Sequence, residues 1–331
     1  MPHNKIVYLL GAGATHAEIL ALEENAPTAE FIDRNGLLIA NVSERVMRRA
    51  QKSRWFRKHE DVFTSAKGSF NIELLISLFE TNQLPHSQID YLKELVREDI
   101  RTRLSSSRET RFYLHKALFE LHQRIEDREN LEGIISLNYD DVVDKAYEKV
   151  MGRKPSYCLT STSAGDGRMP LLKLHGSFTW QRITVYGKSR KIPIIPIGTN
   201  KNYLAPPYNF IWGSAYELLV GCDVLRIVGC SLSQNDVGLI DLLFKAHKER
   251  GRSIRIEIVG FQPLNGHHHI KNEYGFFPEI VEPKDLEDTL IADEAIGKAE
   301  VGNPFRIWLR AKAERMLGAP ATPTRYLRKC F

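Results

Sequence analysis

Two short polar stretches carry the side chains best suited to chemistry. Asn138-Tyr139-Asp140-Asp141 follows an apolar run at 133–137, and His175-Gly176-Ser177 follows another at 170–174. A histidine takes up or releases a proton near neutral pH, because its ordinary pKa is about 6.5. Asp140 and Asp141 read either as groups facing a ligand or as caps of the helix that follows. A third stretch, Gly11-Ala12-Gly13-Ala14-Thr15, ends the run 6–10. Small residues there let the chain turn off a strand and bring backbone N–H groups close to a ligand, and a helix starting at Thr15 favours a phosphate. The dinucleotide fingerprint G-x-G-x-x-G is incomplete, since His16 stands three positions after Gly13. By itself the segment reads equally as a tight strand–helix turn. The fourth stretch is Gly229-Cys230-Ser231, closing the run 223–229.

The elements that must position these residues follow from the apolar pattern. Runs at 6–10, 133–137, 170–174, 223–229 and 254–259 are short and continuous, as in strands covered on both faces. Helical periodicity at 142–150, 210–219 and 237–249 lies between them, and 15–22 follows the first. The fold class is therefore α/β, a doubly wound, Rossmann-like parallel sheet with its site at the carboxyl ends of the strands. Helical patterns at 41–58, 69–79, 87–103 and 109–128, with Ser69 or Asn71 as an N-cap, make 17–130 a mostly helical insertion or cap. A hairpin is expected over 183–195 around Gly187-Lys188. Residues 1–262 form one domain. Residues 263–331 form an extension whose last helix, capped at Asn303-Pro304, is an expected oligomer or partner contact. His267-His268-His269 sits on a loop-like surface stretch.

Composition narrows the function. Across 331 residues, 46 cationic side chains face 41 anionic ones, for a net charge of +5. That balance permits nucleic-acid binding without indicating it. No apolar run approaches the roughly 20 residues of a membrane helix, and the first fifteen residues lack a secretory pattern. Cys158, Cys222, Cys230 and Cys330 form no C-x-x-C pair, so a disulfide framework and a cysteine zinc site are not expected. A cytoplasmic protein with reduced thiols fits. The basic segment 41–58, with Arg45, Arg48, Arg49, Lys52, Arg54, Arg57 and Lys58, reads as a polyanion-binding helix or, preferably, as a solvated face paired with acidic neighbours or another subunit.

In order and spacing, GAGAT at 11–15, SLNYDD at 136–141, LHGS at 174–177 and GCSLSQND at 229–236 resemble the sirtuin family, and most closely the sirtuin-like domains of bacterial anti-phage defence proteins. The resemblance spans about residues 5–261 and leaves out the helical cap. It implies that NAD binds and that its N-glycosidic bond to nicotinamide is broken. It implies that Gly11, Ala12, Gly13, Ala14 and Thr15 hold the diphosphate, Thr15 standing where the family usually has serine. Asn138 and Asp140 would lie beside the nicotinamide ribose, His175 would act as base on a ribose hydroxyl or water, and Gly229, Cys230 and Ser231 would contact the adenosine ribose. These types suit the reaction. Loss of neutral nicotinamide leaves an oxocarbenium-like centre, which needs a positioned oxygen nucleophile more than a strong acid.

Deacylase sirtuins carry a four-cysteine zinc module after this histidine, and here residues 176–221 contain no cysteine. The expected activity is therefore NAD hydrolysis to nicotinamide and ADP-ribose without zinc, by an effector that depletes NAD. Alternatives are a protein ADP-ribosyltransferase or deacylase, and a nucleotide-sensing subunit without turnover. Control is expected from homo-oligomerisation or from a partner such as a hexameric DNA-translocase-type ATPase.

Overall fold

The computed structural model describes residues 4–22, 28–57, 71–81, 86–105, 112–161, 167–180, 183–185, 188–190, 203–232, 236–251, 254–260, 303–317 and 326–327. The triple histidine at 267–269, Cys330 and most of 263–331 lie outside these residues. At the centre runs β1 (Asn4–Leu10), buried from Ile6 to Leu10. A strand covered on both faces needs apolar side chains at every position, which is why this one does not alternate. It is followed by β2 (Glu129–Ser136), β3 (Leu171–Lys173), a small antiparallel hairpin of β4 (Ile183–Val185) and β5 (Lys188–Arg190), then β6 (Val224–Val228) and β7 (Arg255–Val259). Five of these form one parallel sheet in the order β3-β2-β1-β6-β7.

Register decides where the site can be. Leu10 pairs with Ser136 on one side and Val228 on the other, Ser136 pairs with Lys173, and Val228 with Val259. All five carboxyl ends thus stand in one row. The chain lays down β1, β2 and β3 on one side, then returns to place β6 and β7 on the other. Its connections diverge between β1 and β6, the position at which doubly wound sheets take their ligands. The fold is the expected doubly wound α/β class.

The helices are α1 (Ala12–Leu20), α2 (Ala29–Asn35), α3 (Ile39–Ala50), α4 (Arg54–Arg57), α5 (Ile72–Thr81), α6 (His86–Ser105), α7 (Leu114–Arg124), α8 (Val142–Met151), α9 (Tyr208–Gly221), α10 (Val237–Arg250) and α11 (Pro304–Leu317). Alternate residues of β1 serve two cores. Val7 and Leu9 pack with α9 and α10, through Ile211, Ala215, Leu239 and Leu243. Ile6, Tyr8 and Leu10 pack with α1, α7, α8 and α11, through Ala14, Leu118, Tyr147 and Trp308. A third core, of α3, α5 and α6, lies apart from both. So α7 belongs with the sheet, and the helices with their own core lie earlier in the chain. Terminal helix α11 spends its apolar face on the sheet, where Phe305, Trp308 and Leu309 are buried.

Three cations of 41–58 are paired locally. Arg45 is held by Asp99 at 2.7 Å and donates to the carbonyls of Asp33 and Gly36. Arg48 pairs with Glu44, and Arg49 with Glu98 at 2.5 Å. The segment is also interrupted after Ala50, so α3 and α4 do not form one basic stripe. Asn71 caps α5 as expected, its Oδ1 accepting from the amides of Glu73 and Leu74. Asn303 does the same for α11 through Arg306.

One face of the sheet hides a charge network. Arg226 is 1% exposed and donates to both oxygens of Glu129, to Glu257 and to the Tyr8 hydroxyl. Lys312 of α11 adds a 2.7 Å bond to Glu129. Burial raises the Tyr8 phenol, so Tyr8 keeps its proton and donates it to His122 Nε2 at 2.8 Å. Burial, then the Arg226 cation, pushes His122 from 6.5 down to about 3. Burial alone would raise Glu129, but bonds and charges from Arg226 and Lys312 outweigh it and hold the carboxyl at about 2. Both shifts act in one direction. The unfolded chain protonates His122 below pH 6.5 and Glu129 below 4.5, while the folded chain resists until about 3 and 2. Folding stability is therefore expected to fall from about pH 6.5 downward and more steeply below 4.5, read by urea unfolding across pH. His122→Phe should flatten the upper part of that slope, whereas an unchanged slope would show that His122 does not set it.

Candidate active site

The site begins where β1 turns into α1. Gly11 N donates to Val228 O at 3.0 Å, Gly13 N to Gly229 O at 2.8 Å, and Ala14 N back to Gly11 O at 3.0 Å. A Cβ on Gly11 would lie 2.5 Å from Gly229 O, and one on Gly13 would lie 2.7 Å from Gly229 Cα. The small residues are needed because the corner touches the end of β6 backbone to backbone. Helix α1 starts at Ala12 and not at Thr15, so Gly13, Ala14 and Thr15 lie within its first turns. Of this run Ala12 is exposed, Gly13 half-buried, and Ala14 and Thr15 buried. A ligand at this corner therefore meets the N-terminus of α1 chiefly at Ala12.

Behind that corner lies a buried polar cluster. Asn138 Nδ2 donates to Gly11 O at 2.9 Å and to Thr15 Oγ1 at 3.0 Å. Thr15 passes its own proton to Asp140 Oδ2 at 2.9 Å. One hydroxyl thus joins the end of β2 to the first turn of α1, which explains why the position needs a hydroxyl. The other Asp140 oxygen accepts from Val142 N at 3.0 Å, so Asp140 holds the start of α8 as well. Burial raises the Asp140 carboxyl, with Lys173, the Val142 amide and Thr15 working against it. Lys173, fully buried at the end of β3, donates to the Asp140 carbonyl and to Asp144 at 3.0 Å. Asp141 occupies the N-cap position of α8 without a capping bond and pairs with Lys145 at 3.2 Å.

His175 follows β3 and is fully buried. Its Nδ1 faces Leu137 O at 3.2 Å, and its Nε2 lies 3.1 Å from Asp236 Oδ2. Tyr139 sits 6.1 Å from the imidazole and 5.3 Å from Phe178, ring to ring. Its hydroxyl reaches Glu73 of α5 at 3.4 Å, which joins the cap to the site. Burial, then the Glu73 charge, keeps that phenol well above its usual range. Past β6, Gly229 adopts φ +58 and Leu232 φ +49. Burial pushes the half-buried Cys230 thiol up to about 12, so it is no nucleophile near neutral pH. Ser231 is exposed on the same edge. A cleft of about 420 Å³ opens beside Asp140, between Arg97, Ile100 and Leu104 of α6 on one wall and Phe112 and Phe178 on the other.

The structure joins Gly11, Thr15, Asn138 and Asp140 directly, and Gly11 and Gly13 to Gly229. It sets His175 on the same row through Leu137. Ala12, Cys230 and Ser231 line this edge beside the cluster. Sequence reasoning missed Lys173, Asp236 and Glu73. Asp236 carried a signal: it stands directly before the periodic segment at 237 as an N-cap, and its Oδ1 accepts from Leu239 N at 3.3 Å. No group of three or more histidine, cysteine or acidic side chains among the described residues is placed to hold a metal ion.

The class defined by these elements is a doubly wound α/β protein with a polar cluster at its switch point. No protein-family model matches the chain, and no curated protein matches it. Among solved structures it is similar to sirtuins. One, described under "Structural Basis for the Mechanism and Regulation of Sir2 Enzymes", shares 14% identity over 95% of this chain and 93% of its own, with a TM-score of 0.40. Sir2Tm bound to a propionylated peptide shares 13% over 82% and 93%, with a TM-score of 0.38. A Sir2 homologue mutant in complex with 2'-O-acetyl ADP ribose shares 16% over 76% and 79%, with a TM-score of 0.35. These are remote likenesses.

Proposed function

We propose that this chain hydrolyses NAD at the N-glycosidic bond, releasing nicotinamide and ADP-ribose. The observation that carries this reading is the Thr15–Asn138–Asp140 cluster, with His175 on the same row of strand ends, at the divergence of β1 and β6. The motif resemblance supplies the ligand. The diphosphate would lie at the N-terminus of α1 and the adenosine ribose along Gly229, Cys230 and Ser231. The nicotinamide ribose would lie by Asn138 and Asp140. As the C1'–N bond breaks, its electron pair goes to the pyridine nitrogen and nicotinamide leaves neutral. The Asp140 carboxylate favours the cationic ribose, Asn138 holds a hydroxyl or water without adding charge, and His175 accepts the proton the attacking water loses. The absence of cysteine from 176–221 supports water over an acyl-lysine as acceptor.

The domain would be 1–262, with 263–331 as its extension. As a cytoplasmic effector of anti-phage defence, such an enzyme would need restraint, supplied by a second copy or an ATPase partner. The competing reading, transfer of ADP-ribose to a protein, uses the same residues. The test is purified protein with NAD, following nicotinamide and ADP-ribose. Equal release of both is expected, and His175→Ala should slow it by about 10²–10⁴-fold. Nicotinamide release with ADP-ribose appearing on added protein would select the transferase. A protein that neither binds NAD nor turns it over would overturn the proposal.

A further inference from the structure

Nothing in the proposed chemistry uses α6, yet this helix turns a mixed face toward the cleft beside Asp140. Its core face, Ile89, Leu92, Leu95 and Val96, packs with α3 and α5. Lining the cleft are Arg97, Ile100, Arg101 and Leu104. That i, i+3, i+4, i+7 spacing is the one a helix ordinarily gives to apolar contacts. Here two of the four are guanidinium groups, one turn apart on the same side of the helix. Packing such a stripe against protein would cost too much for the charges, so this face is suited to solvent or to a ligand.

The carboxylates lining the cleft are already engaged. Asp140 accepts from Thr15 through one oxygen and from the Val142 amide through the other, and Asp141 lies 3.2 Å from Lys145. The arginines are held less. Arg97 reaches the exposed Glu94 at 3.4 Å, a surface pair that contributes little. Arg101 is exposed and has no carboxylate partner among the described residues. The cleft therefore keeps free cationic donors on one side, while Ile100, Leu104, Phe112 and Phe178 make much of the remaining lining apolar. Solvation accounts for arginines on a flat surface. It does not account for two aromatic rings and two aliphatic side chains around the same cleft of about 420 Å³, a volume within the range of small-molecule pockets.

We propose that this cleft binds a small aromatic phosphate, of nucleoside monophosphate class, in addition to the dinucleotide. The ring lies against the apolar lining of Leu104, Phe112 and Phe178, and the phosphate takes the forked donors of Arg101 and Arg97. Two guanidinium groups one turn apart match a dianion with three oxygens better than a single carboxylate. The lining is drawn from α6, the start of α8 and the segment after His175, not from the β1–α1 corner where the diphosphate is placed. An occupant would therefore touch the cap on one side and the strand ends on the other, and would hold α6 down over the sheet. Such binding requires no turnover of NAD.

Calorimetric titration of the full chain with uridine 5'-monophosphate and with phenyl phosphate tests this, because neither ring occurs in NAD. Saturable, sub-millimolar binding is expected, with uridine and inorganic phosphate each weaker by about tenfold or more. Arg101→Gln should weaken nucleotide binding by about tenfold or more and leave the thermal midpoint unchanged, since the side chain is exposed. Leu104→Glu, which sets a carboxylate in the cleft, should weaken it likewise. Arg48→Gln, a cation of α3 that does not line the cleft, should leave it unchanged. Inorganic phosphate binding as tightly as the nucleotide would overturn a site for an aromatic body. Nucleotide binding that survives Arg101→Gln but is lost in Gly229→Ala would overturn it too, placing the ligand at the dinucleotide corner. No saturable binding of either probe would refute the cleft as a phosphate site. NAD is absent from the titration, so each of these outcomes leaves the hydrolase reading to its own assay.

Discussion

Arg226→Ala is expected to destabilise the chain by about 3–5 kcal/mol, the scale on which breaking a buried ion pair acts when one partner is removed. The guanidinium reaches Glu129 through two nitrogens at 2.7 Å each and Glu257 through Nε at 2.5 Å. Deleting it leaves Glu129 with Lys312 and Glu257 with Arg255 at 3.2 Å, and removes the N–H donor to the Tyr8 hydroxyl oxygen. It also removes the cation lying 5.6 Å from the Tyr8 and Trp308 rings. Arg226→Lys should recover only part of the loss, because an ammonium cannot address two carboxylates with a planar fork. Urea unfolding of the three proteins at neutral pH measures this. Equal stability of Arg226→Ala and the native chain would mean that the network is energetically idle.

Gly229→Ala is expected to cost on the order of 3 kcal/mol and to abolish ligand binding at the switch point. Two terms add: a left-handed backbone at φ +58 disfavours any side chain by about 1–2 kcal/mol, and forcing a methyl into a filled space costs about 1–3 more. The methyl would collide with the Ala14 amide nitrogen and with Gly13. Relief requires the β1–α1 corner to move off β6, which drags Thr15 and, through it, Asn138 and Asp140. Gly251→Ala is the matched control. It has φ +63 but open space around the added carbon, so it carries the backbone term alone. Thermal unfolding of both, with NAD titration, separates the two contributions. Similar losses in the two variants would refute the steric argument.

The sheet was readable because its five strands are apolar runs that stop at small or polar residues, whereas their order in the sheet appears only in the fold. Where ends were misplaced, the reason is physical. β2 starts at Glu129, ahead of the expected 133, because a charged residue sits inside the strand in the Arg226 network, and burial of a paired carboxylate leaves no hydrophobic trace. α1 starts early because Ala12, Gly13 and Ala14 read as a loop by composition, yet the helix is held by contacts to Gly229 far along the chain. The terminal helix read as an outward contact, since only the fold reveals that β7 and α7 present a face for Trp308 and Leu309. Within the site, Thr15, Asn138, Asp140 and His175 were legible as the residues just past strand ends. Lys173 was not, because a lysine within a buried strand looks like an interruption until Asp144 and the Asp140 carbonyl are placed beside it.

The two sides of the site are fastened by different means. On the sheet side, Gly11 and Gly13 meet Gly229 through main-chain atoms with no space for a side chain between them. On the cap side, among the described residues, the Tyr139 phenol reaches the Glu73 carboxylate, Phe178 is lodged against the third core, and Leu37 N donates to the His16 ring. Main-chain welds yield only when strands part, whereas side chains can swing. A bulky ligand is therefore expected to displace α5 and α6 before it disturbs the row of strand ends.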